Sequence, residues 1–262
     1  MPEGDTIHRT ARNLGLALAG RELTRFEAPR LQFAPFPPGT VVESVDAVGK
    51  HCLIRFDDGR TLRTHMRMTG SWHLYKPGER WRKKPAAMRA LLAVEQWVAV
   101  CFAAPEVELV RDVDLSESVG HLGPDLCLPD ADVATAARRL HELSEPDREI
   151  GDALLDQRIA CGVGNVWKSE SLFVDRIDPF TPVGALDDET SLHLLATAAR
   201  LLREQVQRPT HPRWVYGRRD LPCRVCGTPI SWRPQGRHLR GTYWCPTCQT
   251  APSAEGAEIT GV

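Results

Sequence analysis

Hydrophobic positions fall into three successive rhythms along this 262-residue chain. Ile7, Ala11, Leu14 and Leu18 recur at helical spacing and Gly20 follows, which predicts an amphipathic helix stopped by glycine. The pattern then shortens. Runs rich in β-formers at 23–26, 41–48, 52–56, 62–65, 72–75, 91–94, 98–102 and 107–110 predict strands, and Asp57-Asp58-Gly59 is a hairpin turn between two of them. Turn signals at such short intervals point to a β-sandwich or barrel-like lobe. The stretch from His121-Leu-Gly-Pro124 to Pro129 reads as a linker. Beyond it the rhythm is helical at 133–143, 150–155, 166–173 and 191–206. A last hairpin is predicted from Ile230-Ser231-Trp232, a turn at Pro234-Gln235-Gly236 and a return strand over 239–244. The class is α+β, and the small, polar segment 251–262 is expected to be a disordered tail.

Four cysteines flank that hairpin as Cys223-x2-Cys226-x18-Cys245-x2-Cys248. Two close thiolate pairs joined by a hairpin-length segment suit one tetrahedral, structural zinc ion. Two disulfides, or four unrelated thiols, are the alternative. Cys52, Cys101, Cys127 and Cys161 stand alone in mostly apolar surroundings and are expected as buried free thiols, which fits a reducing cytoplasm. No run approaches the ~18 apolar residues of a membrane span. The N-terminus shows no basic-then-apolar signal pattern, so a membrane partner is not expected.

The net charge of −1 hides a segregated distribution. Residues 60–91 carry nine Arg/Lys against one acid, residues 203–248 nine Arg against two acids, and residues 104–156 fourteen acids against four bases. Both basic stretches are interleaved with aromatics: Trp72, Tyr75 and Trp81 in the first, and Trp214, Tyr216, Trp232, Tyr243 and Trp244 in the second. Such a mixture suits phosphate contact with base stacking, although a charge run alone is more often a solvated face.

Met1 precedes Pro2, a small residue of the kind from which initiator methionine is removed, and Glu3 follows. A freed proline presents a secondary amine, and α-amines titrate near 7.7–8.0 in peptides, so an unprotonated fraction exists at neutral pH. Condensed with a sugar aldehyde carbon, that amine becomes an iminium whose positive charge acidifies the neighbouring sugar protons and favours elimination of phosphate. Glu3 can shuttle the protons. The plainer alternative is an ordinary helix start, where Pro and Glu are both favoured.

Pro2-Glu3-Gly4-Asp5, Gly49-Lys50 entering a strand, Gly162-Val-Gly164-Asn165 opening a helix, and Arg240 five residues before Cys245 occur in that order. Together they resemble the formamidopyrimidine-DNA glycosylase and endonuclease VIII family of DNA repair enzymes, from Pro2 to Gln249. The resemblance implies an N-terminal β-sandwich catalytic domain (1–120), a helical DNA-binding domain with a helix–two-turn–helix element (121–215) and a zinc finger (216–250). Damaged DNA would lie in the cleft between the lobes. The implied enzyme is a monomeric bacterial protein of the cytoplasm and nucleoid that removes an oxidised base and cleaves the strand at the abasic site. Lys50 stands where the family has a lysine reaching the lesion's phosphate or sugar, and Arg240 where an arginine grips phosphates around the extruded nucleotide. Met68, in His65-Met-Arg67-Met68-Thr69-Gly70, stands where the family inserts a wedge into the base stack. The Gly164-Asn165 turn frees backbone N–H groups at a helix start, a natural phosphate cradle, to which the Asn165 amide can add a donor. Without the resemblance, Lys50 and Arg240 could be plain surface cations, Met68 core filler and the glycine turn a simple connection.

Three departures refine the expectation. Thr6 replaces a glutamate that in the family often assists sugar ring opening, which puts more of the proton work on Glu3. The oxidised-purine branch carries an Arg-x-Phe wedge pair, whereas this chain has Arg111-Asp-Val-Asp114. Residues 207–216 leave little room for the long loop with which that branch covers a purine. The last two lean towards the endonuclease VIII branch and oxidised pyrimidines. The other readings are an oxidised-purine glycosylase, a DNA- or abasic-site-binding protein that has lost glycosylase chemistry, and a zinc-ribbon interaction module.

Overall fold

The computed structural model describes residues 2–208 and 212–250; the expected tail lies outside the described residues. The chain divides into two compact units, Met1–His121 and Leu122–Val262.

The first unit opens with α1 (Gly4–Leu18), whose Ile7, Ala11, Leu14 and Leu18 are buried, and Gly20 follows with φ +72°. Two antiparallel sheets follow. One is ordered β1 (Arg21–Glu22), β3 (Val41–Val48), β4 (His51–Phe56), β5 (Arg60–His65) and β9 (Glu106–Arg111). The other is ordered β2 (Arg25–Glu27), β7 (Met88–Ala93), β8 (Val98–Phe102) and β6 (Ser71–Tyr75). Val42, Cys52, Ile54, Phe56 and Leu62 of the first sheet share a core with Ala90, Leu92, Ala99 and Cys101 of the second and with the apolar face of α1. A β-sandwich results.

The alternating residues of β7 and β8 face the other way. Leu91, Ala93, Val100 and Phe102 form a second cluster with Tyr75, covered by Trp81. Burial on both faces explains why these strands read as continuous apolar runs. The segment 23–26 is not one strand. The chain passes between sheets there: Leu23 N–H bonds to Thr40 O at 2.8 Å, and Thr24 N–H to Ala93 O at 2.8 Å. Residues 21–22 pair with β3 in the first sheet and residues 25–27 with β7 in the second, so the run is split between the two sheets. The short helix α2 (Leu115–Val119) ends the unit's regular structure.

In the second unit α3 (Val133–Glu142), α4 (Ile150–Ala153), α5 (Asn165–Val174) and α6 (Asp188–Gln207) enclose one apolar core. Asp132 and Asp187 cap α3 and α6 by accepting from Thr135 N–H at 2.9 Å and Thr190 N–H at 2.8 Å. These caps set the helix starts. Helix α5 is buried from Asn165 to Phe173, including Lys168 and Glu170. The final hairpin pairs β10 (Ser231–Gln235) with β11 (Arg240–Trp244). Its turn is residues 236–239, not Pro234-Gln235-Gly236, because Gln235 belongs to the ladder and its buried side chain is anchored below. Pro234 is tolerated because each strand of a two-stranded ribbon has an unpaired edge. Among the described residues no helix is long and apolar enough to cross a membrane.

Candidate active site and four-cysteine metal centre

In the first unit, Pro2 is half-buried immediately ahead of Glu3, the N-cap of α1, and Glu3 is only 2 % exposed. The Glu3 side chain makes no capping bond to the helix, while its carbonyl accepts from Ile7 N–H at 3.0 Å. Thr6 lies between Asp5 and Arg9, its hydroxyl 3.4 Å from Asp5 Oδ2 and 3.5 Å from Arg9 Nη2.

Gly49 and Lys50 form the two-residue connection between β3 and β4, with Val48 paired to His51. Gly49 has φ +57°, as the first position of a type II′ turn requires, so glycine here sets where Lys50 is presented.

The loop between β5 and β6 carries Met68, which is 62 % exposed and therefore not core filler. The loop is fastened at several points. Gly70 N–H donates to Met66 O at 2.8 Å, and a Cβ on Gly70 would lie 2.8 Å from that oxygen. Thr69 Oγ1 donates to Ala103 O at 2.9 Å, and Arg67, at φ +43°, donates through Nε to Glu106 Oε1 at 2.5 Å. Glu106 also meets Arg63 Nη2 at 3.4 Å, and Arg63 reaches Glu108 at 2.8 Å and His51 Nδ1 at 2.7 Å. Strand register explains this network. Arg63 pairs with Glu108, His65 with Glu106, and His51 with His65, whose ring stacks on it at 4.7 Å. Burial first, then His65 and Arg63, push His51 down to about 3, so it stays a neutral acceptor for Arg63. Burial tends to raise Glu106, but the Arg67 bond together with His65 and Arg63 holds it below the usual carboxylate range. Residue types alone did not single out this network, since its members lie far apart in the chain.

In the second unit, Gly162 (φ +100°) and Gly164, the N-cap of α5, lead the backbone into Asn165. Asn165 Nδ2 donates to Gly241 O at 2.7 Å, tying the glycine turn to the strand residue beside Arg240. Below it, fully buried Lys168 donates to Thr242 Oγ1 at 2.6 Å, and Thr242 donates to Gln235 Oε1 at 2.7 Å. Gln235 Nε2 in turn donates to Glu149 Oε2 at 2.9 Å and Pro179 O at 2.8 Å. A Cβ on Gly236 would sit 1.9 Å from Asp152 Oδ1, so glycine is required for the hairpin to come this close to α4. Glu170 accepts backbone N–H bonds from Trp214, Val215 and Tyr216 at 2.7, 3.0 and 2.8 Å, fixing the approach to the cysteines. Two opposite charges inside an otherwise helical, apolar run were the only sequence signal for Lys168 and Glu170.

The Sγ atoms of Cys223, Cys226, Cys245 and Cys248 all lie within 4.8 Å of one another, with Cys223–Cys248 at 3.9 Å and Cys226–Cys245 at 3.4 Å. Disulfides need about 2.05 Å, so neither pair is one. A tetrahedral ion at about 2.3 Å from each sulfur needs edges of about 3.8 Å, which these distances bracket. Hydrogen bonds from Thr228 hold the Cys226 thiol down to about 6, whereas burial first, with the crowding of its neighbours, pushes Cys245 and Cys248 up. A cation relieves that crowding, and the four sulfurs can hold a metal ion. Phe173, Val215 and Ile230 pack with Cys223 and Cys245 in a small core around them.

Family comparisons fit both units. The formamidopyrimidine-DNA glycosylase N-terminal domain matches residues 1–107, and the formamidopyrimidine-DNA glycosylase H2TH domain matches residues 122–211. The "Probable endonuclease 8 2" of Streptomyces coelicolor is 41 % identical, covering 100 % of this chain and 99 % of its own. The "DNA-(apurinic or apyrimidinic site) lyase Nei2" of Mycolicibacterium smegmatis is 38 % identical over 96 % of this chain and 100 % of its own. In fold, the Lactococcus lactis Fpg (MutM), solved with DNA containing N7-benzyl-Fapy-dG, superimposes with a TM-score of 0.82 at 20 % identity, covering 95 % of this chain and 100 % of that one. With domain matches in both units and relatives spanning its full length, the chain belongs to the formamidopyrimidine-DNA glycosylase family, with endonuclease 8 proteins among its relatives.

Proposed function

We propose that this protein is a DNA glycosylase and abasic-site lyase acting on damaged DNA, with residues 1–120 as catalytic domain, 121–215 as helical DNA-binding domain and 216–250 as a zinc finger. The observation that carries this is full-length similarity to endonuclease 8 and abasic-site lyase proteins in a chain whose Pro2-Glu3 leads into α1. Pro2, freed of Met1, attacks C1′ of the deoxyribose. The base leaves as the glycosidic bond breaks; the C1′–O4′ bond then opens, O4′ takes a proton, and the nitrogen lone pair forms the iminium. Loss of a C2′ proton then expels the 3′-phosphate, and a second elimination expels the 5′-phosphate. Glu3 carries protons in ring opening and elimination. Lys50 and Arg240 bind phosphates or sugar at the lesion, and Gly164 and Asn165 supply the helix-terminal cradle. Zinc, held by the four cysteines, is structural: it fixes the hairpin that bears Arg240.

Borohydride trapping on abasic DNA tests the lyase step; no covalent adduct would sink it. The substrate class leans to oxidised pyrimidines, on Arg111-Asp-Val-Asp114 in place of an Arg-x-Phe pair and the short connection after α6. Faster cleavage of thymine glycol than of oxidised guanine in matched duplexes is expected, and the reverse order would move the protein to the oxidised-purine class. A second reading, a lyase with little base excision, is favoured by Thr6 and by the lyase name of the relative quoted above. It predicts cleavage of preformed abasic sites with no release of oxidised bases.

Exposed Met68 serves as the wedge, offsetting part of the few kcal/mol spent on unstacking a base. Met68→Ala should slow base excision from a duplex by about tenfold or more while leaving cleavage at preformed abasic sites closer to wild type. Glu106→Gln, which weakens the anchor of Arg67, should shift the two rates in the same sense. Equal loss on both substrates would show that the loop serves something other than extrusion.

A further inference from the structure

Residues 76–84 form a strap over the outer face of the second sheet, and its anchors are specific. The Trp81 indole packs edge-on against Phe102 at 5.6 Å and lies 6.5 Å from the Tyr75 ring. Arg82 N–H donates to Tyr75 OH at 3.1 Å, and Lys83 Nζ donates to Ser71 Oγ at 2.9 Å. At the start of the strap, Lys76 N–H donates to Glu79 Oε2 at 2.9 Å, and the Lys76 ammonium sits 3.6 Å from the Trp97 ring centre.

Between these anchors the burial alternates. Trp81 and Lys83 are half-buried, while Arg80, Arg82 and Lys84 are exposed along the edge of an open concavity of about 680 Å³ lined by residues 79–85. The exposed Arg25, Arg111, Arg158 and Arg200 each pair with an acid in the chain. Arg80, Arg82 and Lys84 have no acidic partner among the described residues, and Glu79 is the only acid in the strap. Two residues of backbone reach at most about 7 Å, so successive cations can serve neighbouring phosphates of one strand, spaced about 3.4 Å along the duplex axis. Because the strap is already pinned, binding there orders little new backbone.

We propose that Arg80, Arg82 and Lys84 form a phosphate-contact row for DNA flanking the lesion, distinct from the residues assigned to the reaction. This rests on the DNA-directed function above. The row adds affinity and electrostatic capture without touching the sugar being opened.

The test uses the full-length, zinc-loaded protein and the triple variant Arg80→Gln, Arg82→Gln, Lys84→Gln. Binding to a long duplex containing a stable abasic analogue is followed by fluorescence anisotropy between about 50 and 200 mM salt. With three phosphate contacts gone at about 0.9 each, the slope of log K against log salt should become shallower by about 2.7. Borohydride trapping on a short duplex ending close to the abasic site should be unchanged. A companion variant, Arg80→Lys with Arg82→Lys, keeps the charge and should keep the slope. A wild-type slope in the glutamine variant overturns the strap assignment, as does an equal loss of affinity on the short duplex. Failure of the wild-type protein to trap would instead strike the lyase reading, whatever the slopes show.

Discussion

A form of the protein with any residue left ahead of Pro2 is expected to give no borohydride-stable adduct and to cleave abasic DNA at least about 10³-fold more slowly. The reason lies in one nitrogen. Peptide α-amines titrate near 7.7–8.0, so a free secondary amine at this place offers an unprotonated, nucleophilic fraction at neutral pH. Acylated, its lone pair is delocalised into the peptide bond and it can form no iminium. Pro2→Gly, which keeps a free amine after methionine removal, should retain part of the trapping. Mass spectrometry of the mature N-terminus, with trapping measured on the same sample, checks both statements. An extended protein that nicks abasic DNA at full rate requires a different nucleophile.

Removal of the metal is expected to lower DNA affinity by roughly 10- to 100-fold, the worth of lost charge-assisted hydrogen bonds at Arg240. Structural zinc contributes about 10–16 kcal/mol in small finger peptides. Here the alternative support is a two-stranded ribbon, marginal by itself, and a core of Phe173, Val215 and Ile230 around thiols that crowd one another. The Gln235 and Lys168 anchors hold the hairpin only while it keeps its shape. Chelation or Cys245→Ser should release it; Arg240→Ala in zinc-loaded protein should reproduce the affinity loss with the fold intact. Zinc content by metal analysis, alongside anisotropy with duplex DNA, decides the matter. Full affinity in metal-free protein would show that the finger does not place Arg240.

The elements most legible in the chain are those whose information is local. Apolar spacing foretold α1, and the run at 98–102 coincides with β8 because a strand buried on both faces must be apolar throughout. Cysteine spacing foretold that four sulfurs would gather where they can hold a metal ion, because two knuckles and a hairpin are contiguous in sequence. The passage between sheets at Leu23-Thr24 was not legible, since its hydrogen bonds go to Thr40 and Ala93. Nor was the turn at 236–239, which is displaced by the anchoring of Gln235 to Glu149 and Pro179.

By itself, then, the order of residues determined most helix and strand types, the gathering of four cysteines around one hairpin and the ordered set of motifs that marks the family. Tertiary structure alone decided that Met68 projects outward from a loop held by Glu106, and that Asn165 is tied to the strand of Arg240. It also decided that the strap cations Arg80, Arg82 and Lys84 stand exposed without acidic partners among the described residues, whereas Arg25 and Arg111 are paired with Glu27 and Asp114. Periodicity records how deeply a residue is buried. Which distant side chain it meets depends on strand register and helix docking, and those are set only when the whole chain packs.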